Sequence, residues 1–252
     1  AAVGIISAVV VVFMCQGESW ALTQDTYQQL VLIGIIPAVV ALFIFFFVRE
    51  PKRATSRDVP STAKPSGLLS GFDKRFKIFL GIIFLFTLGN SSDAFLILRA
   101  QYLGNTVLDI LLMLVLFNFI YASVSIPAGM LSDKLGRRRI ILLGWLVYAI
   151  TYLGFALASP GASWQLWLLF ALYGVYYGIA EGVLRAFVAD LVPIEKRGTA
   201  YGLFHGIVGM TLLPASLIAG WLWQAVNPAT PFLFGAGLAF LAMIGLLVLI
   251  KE

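Results

Sequence analysis

Four ionisable side chains lie inside or near the ends of long apolar runs: Asp93, Arg99, Glu181 and Arg185. A charge at the centre of a bilayer costs about 2.5–3.5 kcal/mol even on the gentler insertion scale, so each such group needs a compensating partner or a water-filled cavity. Tyr173, Tyr177, Glu181 and Arg185 recur at every fourth residue, which on a helix sets two phenols and both charges on one face. Gly174, Gly178 and Gly182 form the adjacent stripe, smooth enough for a neighbouring backbone to approach. Glu181 and Arg185 admit two readings. They form an ion pair that neutralises itself within the helix, or Glu181 is a proton or substrate-charge site whose protonation Arg185 modulates. A second polar patch, Thr87, Asn90, Ser91, Ser92 and Asp93, occupies the middle to outer half of another apolar run. Asp93 is too short to reach a membrane surface and is read as functional, whereas Arg99 is read as snorkelling to the outer surface. Asn118 is read as a buried amide bonded to a neighbouring helix. His205 is read as a helix-packing residue, with pH sensing as the less common alternative.

The elements that carry these residues are membrane helices. Hydrophobic residues make up 61% of the 252 and charged residues only 12%, with a mean hydropathy of +0.97, against about a quarter charged in soluble domains. The net charge of +5 reflects lysines and arginines gathered in cytoplasmic loops rather than affinity for nucleic acid. One cysteine, Cys15, and one histidine, His205, leave no intramolecular disulfide and no metal cluster to expect, and no cofactor is expected. The opening residues carry no signal-peptide pattern and read as the inside of a helix, so the chain reads as a piece of something longer.

Apolar runs and their punctuation predict eight spans: 1–14, 30–48, 78–98, 109–131, 140–158, 164–191, 200–223 and 231–250. The segment 49–77 holds eight basic residues among Pro51, Pro60, Pro65 and several serines, and reads as a flexible linker. Lys134 and Arg137–Arg139, then Lys196 and Arg197, then Lys251 fall in alternate connections on the same side. The intervening loops carry no base, and only Arg99 and Arg185 depart from the pattern. That side is therefore read as cytoplasmic, with the C-terminus inside.

The tight turn Gly129–Arg139 between two spans carries Gly-x-x-x-Asp-x-x-Gly-Arg-Arg at Gly129, Asp133, Gly136, Arg137 and Arg138. This pattern resembles the loop signature of the major facilitator superfamily of secondary transporters. The resemblance implies an all-α membrane protein, a major facilitator-type helical bundle with eight of an expected twelve spans in this sequence. A weak repeat of the first two spans in the last two aligns Glu50 with Glu252. On that plan, 1–50 holds the last two helices of the N-terminal half-bundle, 51–77 is the cytoplasmic linker and 78–252 is the six-helix C-terminal half-bundle. Roughly four helices then lie upstream, assuming equal halves. The third and sixth spans would be the family's seventh and tenth helices, which line the central cavity. They carry Asn90, Asp93, Tyr173, Tyr177, Glu181 and Arg185 as the candidate substrate and proton cavity.

In the family this turn belongs to a charge network that latches the cytoplasmic side of the cavity. Ala189–Thr199 looks like its partner, with Asp190 and Arg197 flanking a proline that ends the sixth span. Arg137 or Arg138 is expected within reach of Asp190 or Glu195. The implied function is alternating-access transport of a small organic molecule across the plasma membrane (a bacterial inner membrane). It is expected to be proton-coupled and an exporter, working as a monomer with the upstream helices. The glycine–proline signature of many antiporters is not seen in the first span, which leaves direction open. A non-transporting facilitator-like subunit or assembly factor is the alternative. A channel would not need the latch, and no nucleophile–base set points to an enzyme.

Overall fold

The computed structural model describes residues 71–250, together with Ile35, Val39, Phe43 and Leu69. The chain divides into two compact units, Ala1–Gly71 and Phe72–Glu252. In the first, Ile35, Val39 and Phe43 are helical. The rest of the first two spans, most of the linker and the Glu50–Glu252 alignment fall outside the described residues. The second unit is built from α1 (Lys74–Gly89), α2 (Ala94–Tyr102), α3 (Val107–Leu135), α4 (Arg137–Leu157), α5 (Ser163–Asp190), α6 (Arg197–Ala225, preceded by a 3₁₀ turn Ile194–Lys196) and α7 (Thr230–Leu249). With α1 and α2 taken as one broken span, this makes six stretches long and apolar enough to cross a membrane. They coincide with the last six spans read from the sequence.

The ends are set by local chemistry. Thr106 and Asp109 form a reciprocal capping box at the start of α3: the Asp109 backbone N–H donates to Thr106 Oγ1 at 3.2 Å, and the Thr106 N–H donates to Asp109 Oδ2 at 3.1 Å. Gly136 alone joins α3 to α4, at φ +93°, a backbone conformation that costs a residue with a Cβ. Helix α1 begins at Lys74, four residues before the sequence boundary at 78, because the Asp73 carboxylate accepts from the Lys74 N–H at 2.7 Å.

Packing runs α6 on α1, α1 on α7, α7 on α4, α4 on α5 and α5 on α3. Lipid is as apolar as leucine, so close backbone approach, aromatic stacking and interhelical hydrogen bonds must hold such a bundle. Gly235 of α7 meets Gly89 of α1 so closely that a Cβ on Gly235 would stand 2.5 Å from the Gly89 carbonyl. Phe86 stacks on Trp145 at 4.6 Å and Tyr148 on Tyr152 at 4.1 Å, filling the centre between α1 and α4.

Three local expectations are corrected. Arg99 does not snorkel: it is 5% exposed, donating from Nε to Phe155 O at 3.0 Å and from Nη2 to Ala156 O and Ala158 O at 3.1 and 3.3 Å. The end of α4 leaves carbonyls without intrahelical partners, and the guanidinium fork supplies the donors. Asn118 is buried as expected, but its amide donates to Leu114 O one turn back in its own helix, at 2.8 Å. Along α6, Gly202, Gly206 and Gly209 each leave open space where a side chain would stand. His205 beside them is exposed rather than packed.

Candidate functional site

The break between α1 and α2 organises the site. The helix ends at Gly89, residues 90–92 are non-helical, and the chain resumes at Ala94 with Asp93 at the N-cap position. Ser and Asp side chains compete for backbone groups and favour such an interruption. Some of the freed backbone groups find partners: the Asn90 N–H donates to Phe86 O and Thr87 O, the Ala94 N–H to Ser92 Oγ at 3.3 Å, and Tyr148 Oη donates to Gly89 O at 3.0 Å. Irregular backbone at this depth is tolerated where it is buried in protein or lines a water-filled cavity.

Here it lines one. A cavity of about 700 Å³ is bordered by residues 90–93 together with Tyr177 of α5 and Gly209, Leu212, Leu213, Ser216 and Leu217 of α6. Among these described residues Asp93 is the only carboxylate, and none is Lys, Arg or His. Tyr173 Oη donates to Asp93 Oδ1 at 2.6 Å, and Tyr177 Oη lies 3.4 Å from each carboxylate oxygen. Asp93 has no ion-pair partner among the described residues.

Glu181 is differently placed. It pairs with Arg185 one turn on and accepts a second hydrogen bond from Tyr121 of α3. Both charges line a second cavity of about 240 Å³ with Phe86, Thr87, Asn90, Tyr176, Tyr177, Phe204 and His205 among its walls. Asn90 and Tyr177 border both cavities and so stand at the partition between them. The four-residue spacing on α5 thus delivers Tyr173 and Tyr177 to Asp93, and Glu181 and Arg185 to each other.

The glycine stripe beside them divides. A Cβ on Gly174 would stand 2.6 Å from Phe117 O, and one on Gly178 2.8 Å from Val124 Cβ, whereas Gly182 has open space. Gly182 instead joins Gly129, Tyr121 and Ser125 around a small cavity of about 190 Å³ next to Glu181 and Arg185. Tyr121 was missed from sequence, although Tyr121, Ser125 and Gly129 repeat at the same four-residue interval on α3.

At the basic end, Arg137 joins the helix ends. Its Nη1 lies 2.8 Å from Asp190 Oδ2, its Nη2 3.7 Å from Asp133 Oδ1, and it donates to Ala186 O as well. Arg138 turns elsewhere, donating from Nη2 to Leu247 O of α7 at 2.7 Å. Arg197 donates from Nε to Ala189 O at 3.2 Å. Gly129 accepts a bond from Ser132 Oγ at 2.7 Å through its carbonyl. No cluster of three or more potential metal ligands occurs among the described residues.

The sequence profile of the Major Facilitator Superfamily matches residues 78–252. An uncharacterized MFS-type transporter of Methanocaldococcus jannaschii is 38% identical over 232 residues, covering 90% of this chain and 56% of its own. A D-xylose transporter of Levilactobacillus brevis is 29% identical over 180 residues, 67% of this chain and 38% of its own. The multi-drug resistance efflux pump PmrA of Streptococcus pneumoniae is 35% identical over 125 residues, 49% of this chain and 30% of its own. The chain thus spans little more than half the length of these relatives at most. Among solved structures, the nucleoside transporter NupG (D323A mutant) superposes with a TM-score of 0.68 at 16% identity, covering 98% of this chain and 65% of that one, a likeness of fold alone.

Proposed function

Because the chain belongs to the Major Facilitator Superfamily, we propose that it is part of a proton-coupled secondary transporter that moves a small organic molecule by alternating access, with Asp93 as the coupling carboxylate. The observation that carries this reading is a carboxylate at a broken helix, bordering a 700 Å³ cavity with phenol donors and, among the described residues, no second carboxylate and no cation beside it. A carboxylate so placed has a proton or a cationic substrate group as its natural partner, while Glu181 already has Arg185. Asn90 and Tyr177 form the partition that substrate passes when access alternates. The Arg137–Asp190–Asp133 group acts as the latch at the basic end, which the charge pattern of the loops assigns to the cytoplasm. Resemblance to an efflux pump supports export. The working unit is a monomer that includes the upstream helices, in the plasma membrane.

The test is gradient-driven transport by the full-length protein in vesicles, with D-xylose and a panel of cationic dyes as probes. Wild type is compared with Asp93→Asn and Glu181→Gln. Asp93→Asn is expected to abolish accumulation against a gradient while leaving exchange down a gradient, and Glu181→Gln to retain coupled transport. Coupled transport at the wild-type level in Asp93→Asn would overturn the assignment. No transport of any probe by well-folded wild type would favour a non-transporting subunit.

A further inference from the structure

At the basic end of the bundle, away from both central cavities, a hollow of about 190 Å³ is lined by Arg75, Arg137, Arg138, Phe187, Asp190, Leu191 and Ile250. Every one of these residues sits in the first or last turn of a helix or just beyond it, so the hollow lies at the level where a bilayer changes from acyl chain to headgroup. Its charges do not cancel. Arg137 and Asp190 are paired, which leaves Arg75 and Arg138 without an ion-pair partner among the described residues. Arg75 is exposed and has no partner among the described residues. Arg138 uses one Nη2 donor on Leu247 O, while its Nε is buried and has no hydrogen-bond partner among them. A buried donor left unmade is costly, and a guanidinium fork is matched in shape by phosphate oxygens.

We propose that this hollow binds the phosphate of an anionic membrane phospholipid, held between Arg75 and Arg138. The remaining walls favour a lipid over a free anion. Phe187, Leu191 and Ile250 give the hollow an apolar side. Beyond it the α7 surface presents Ile244, Leu247 and Val248, each 43–59% exposed, as a track for acyl chains. Basic pockets between helix ends with apolar flanks suit a headgroup and its chains together. The inference does not depend on what the central cavities carry.

Native mass spectrometry of the full-length, delipidated protein tests it, with phosphatidylglycerol, phosphatidylcholine and inorganic phosphate as probes. Wild type is expected to retain phosphatidylglycerol over phosphatidylcholine, and excess inorganic phosphate not to displace it. Arg75→Gln, which breaks no hydrogen bond or ion pair among the described residues, is expected to lower that preference about fivefold. Adding Arg138→Gln is expected to abolish it. Arg139→Gln, exposed and outside the hollow, is expected to keep it. Equal retention of the two lipids by wild type, or an undiminished preference in Arg75→Gln, would overturn the proposal. So would an equal loss in Arg139→Gln, which means surface charge alone, or displacement by inorganic phosphate, which means a free-anion site.

Discussion

The Arg99 guanidinium closes the carbonyl ladder of α4 from inside the bundle, bonding three successive or near-successive carbonyls. Its removal leaves those acceptors without donors in a place water does not easily reach. Arg99→Ala is therefore expected to cost about 2–4 kcal/mol of stability, with Arg99→Lys intermediate, read as thermal midpoint in detergent. A near-neutral Arg99→Ala would mean that the α4 end is hydrated after all. Around Asp93 the two phenols are unequal: Tyr173 at 2.6 Å makes a strong bond to the carboxylate, and Tyr177 at 3.4 Å a weak one. If Asp93 couples transport, Tyr173→Phe should slow gradient-driven flux by about tenfold at unchanged expression, and Tyr177→Phe by less. The opposite order would place the working geometry elsewhere.

Helix α5 serves two neighbours with one repeat. Its tyrosine and acid face meets the break and the cavities, while Gly174 and Gly178 admit α3 at backbone distance. Gly182, two turns past Gly174 in the same stripe, faces a small cavity instead. Gly174→Val should thus destabilise the bundle by about 1–3 kcal/mol through overpacking against Phe117 O. Gly182→Ala should stay within about 0.5 kcal/mol of wild type, since nothing lies within 4 Å. Thermal unfolding of the two variants side by side checks this, and equal effects would contradict the packing described. The α1–α2 break likewise acts as one element: the polar run 90–93 interrupts the helix, and Tyr148 of α4 caps the freed Gly89 carbonyl.

Over the bundle, two of the three ion pairs among the described residues lie at the basic end, and the third, Glu181–Arg185, borders a cavity. Arg137 ties the end of α5 to the α3–α4 turn, so helices that border the cavities are joined where the chain is most basic. If this group is the latch of the proposed transporter, weakening the tie should change how fast the bundle switches rather than how well it holds a ligand. Arg137→Gln and Asp133→Asn are expected to alter maximal transport rate several-fold while leaving the apparent KM within about twofold, measured as initial rates in vesicles. A change confined to KM would show that these residues act on binding.

Hydropathy and loop charge are local properties, and for that reason the last six spans and the basic end were legible from residue order alone. The helical repeat of Tyr173, Tyr177, Glu181 and Arg185 was legible too, because it needs only the 3.6-residue turn. What a polar side chain touches is not local. Residue types could not say that Arg99 would turn inward to α4, that Asn118 would bond its own helix, or that Tyr121 would reach Glu181. Nor could spacing tell which glycines meet a neighbour: Gly174 and Gly178 do, while Gly182, Gly202, Gly206 and Gly209 face open space. The break at residues 90–93 lay hidden within one apolar run, since a hydropathy average does not register a few polar residues that the surrounding helices can satisfy. Partner choice depends on how helices distant in sequence are rotated and set against each other, and that was decided only when the bundle packed.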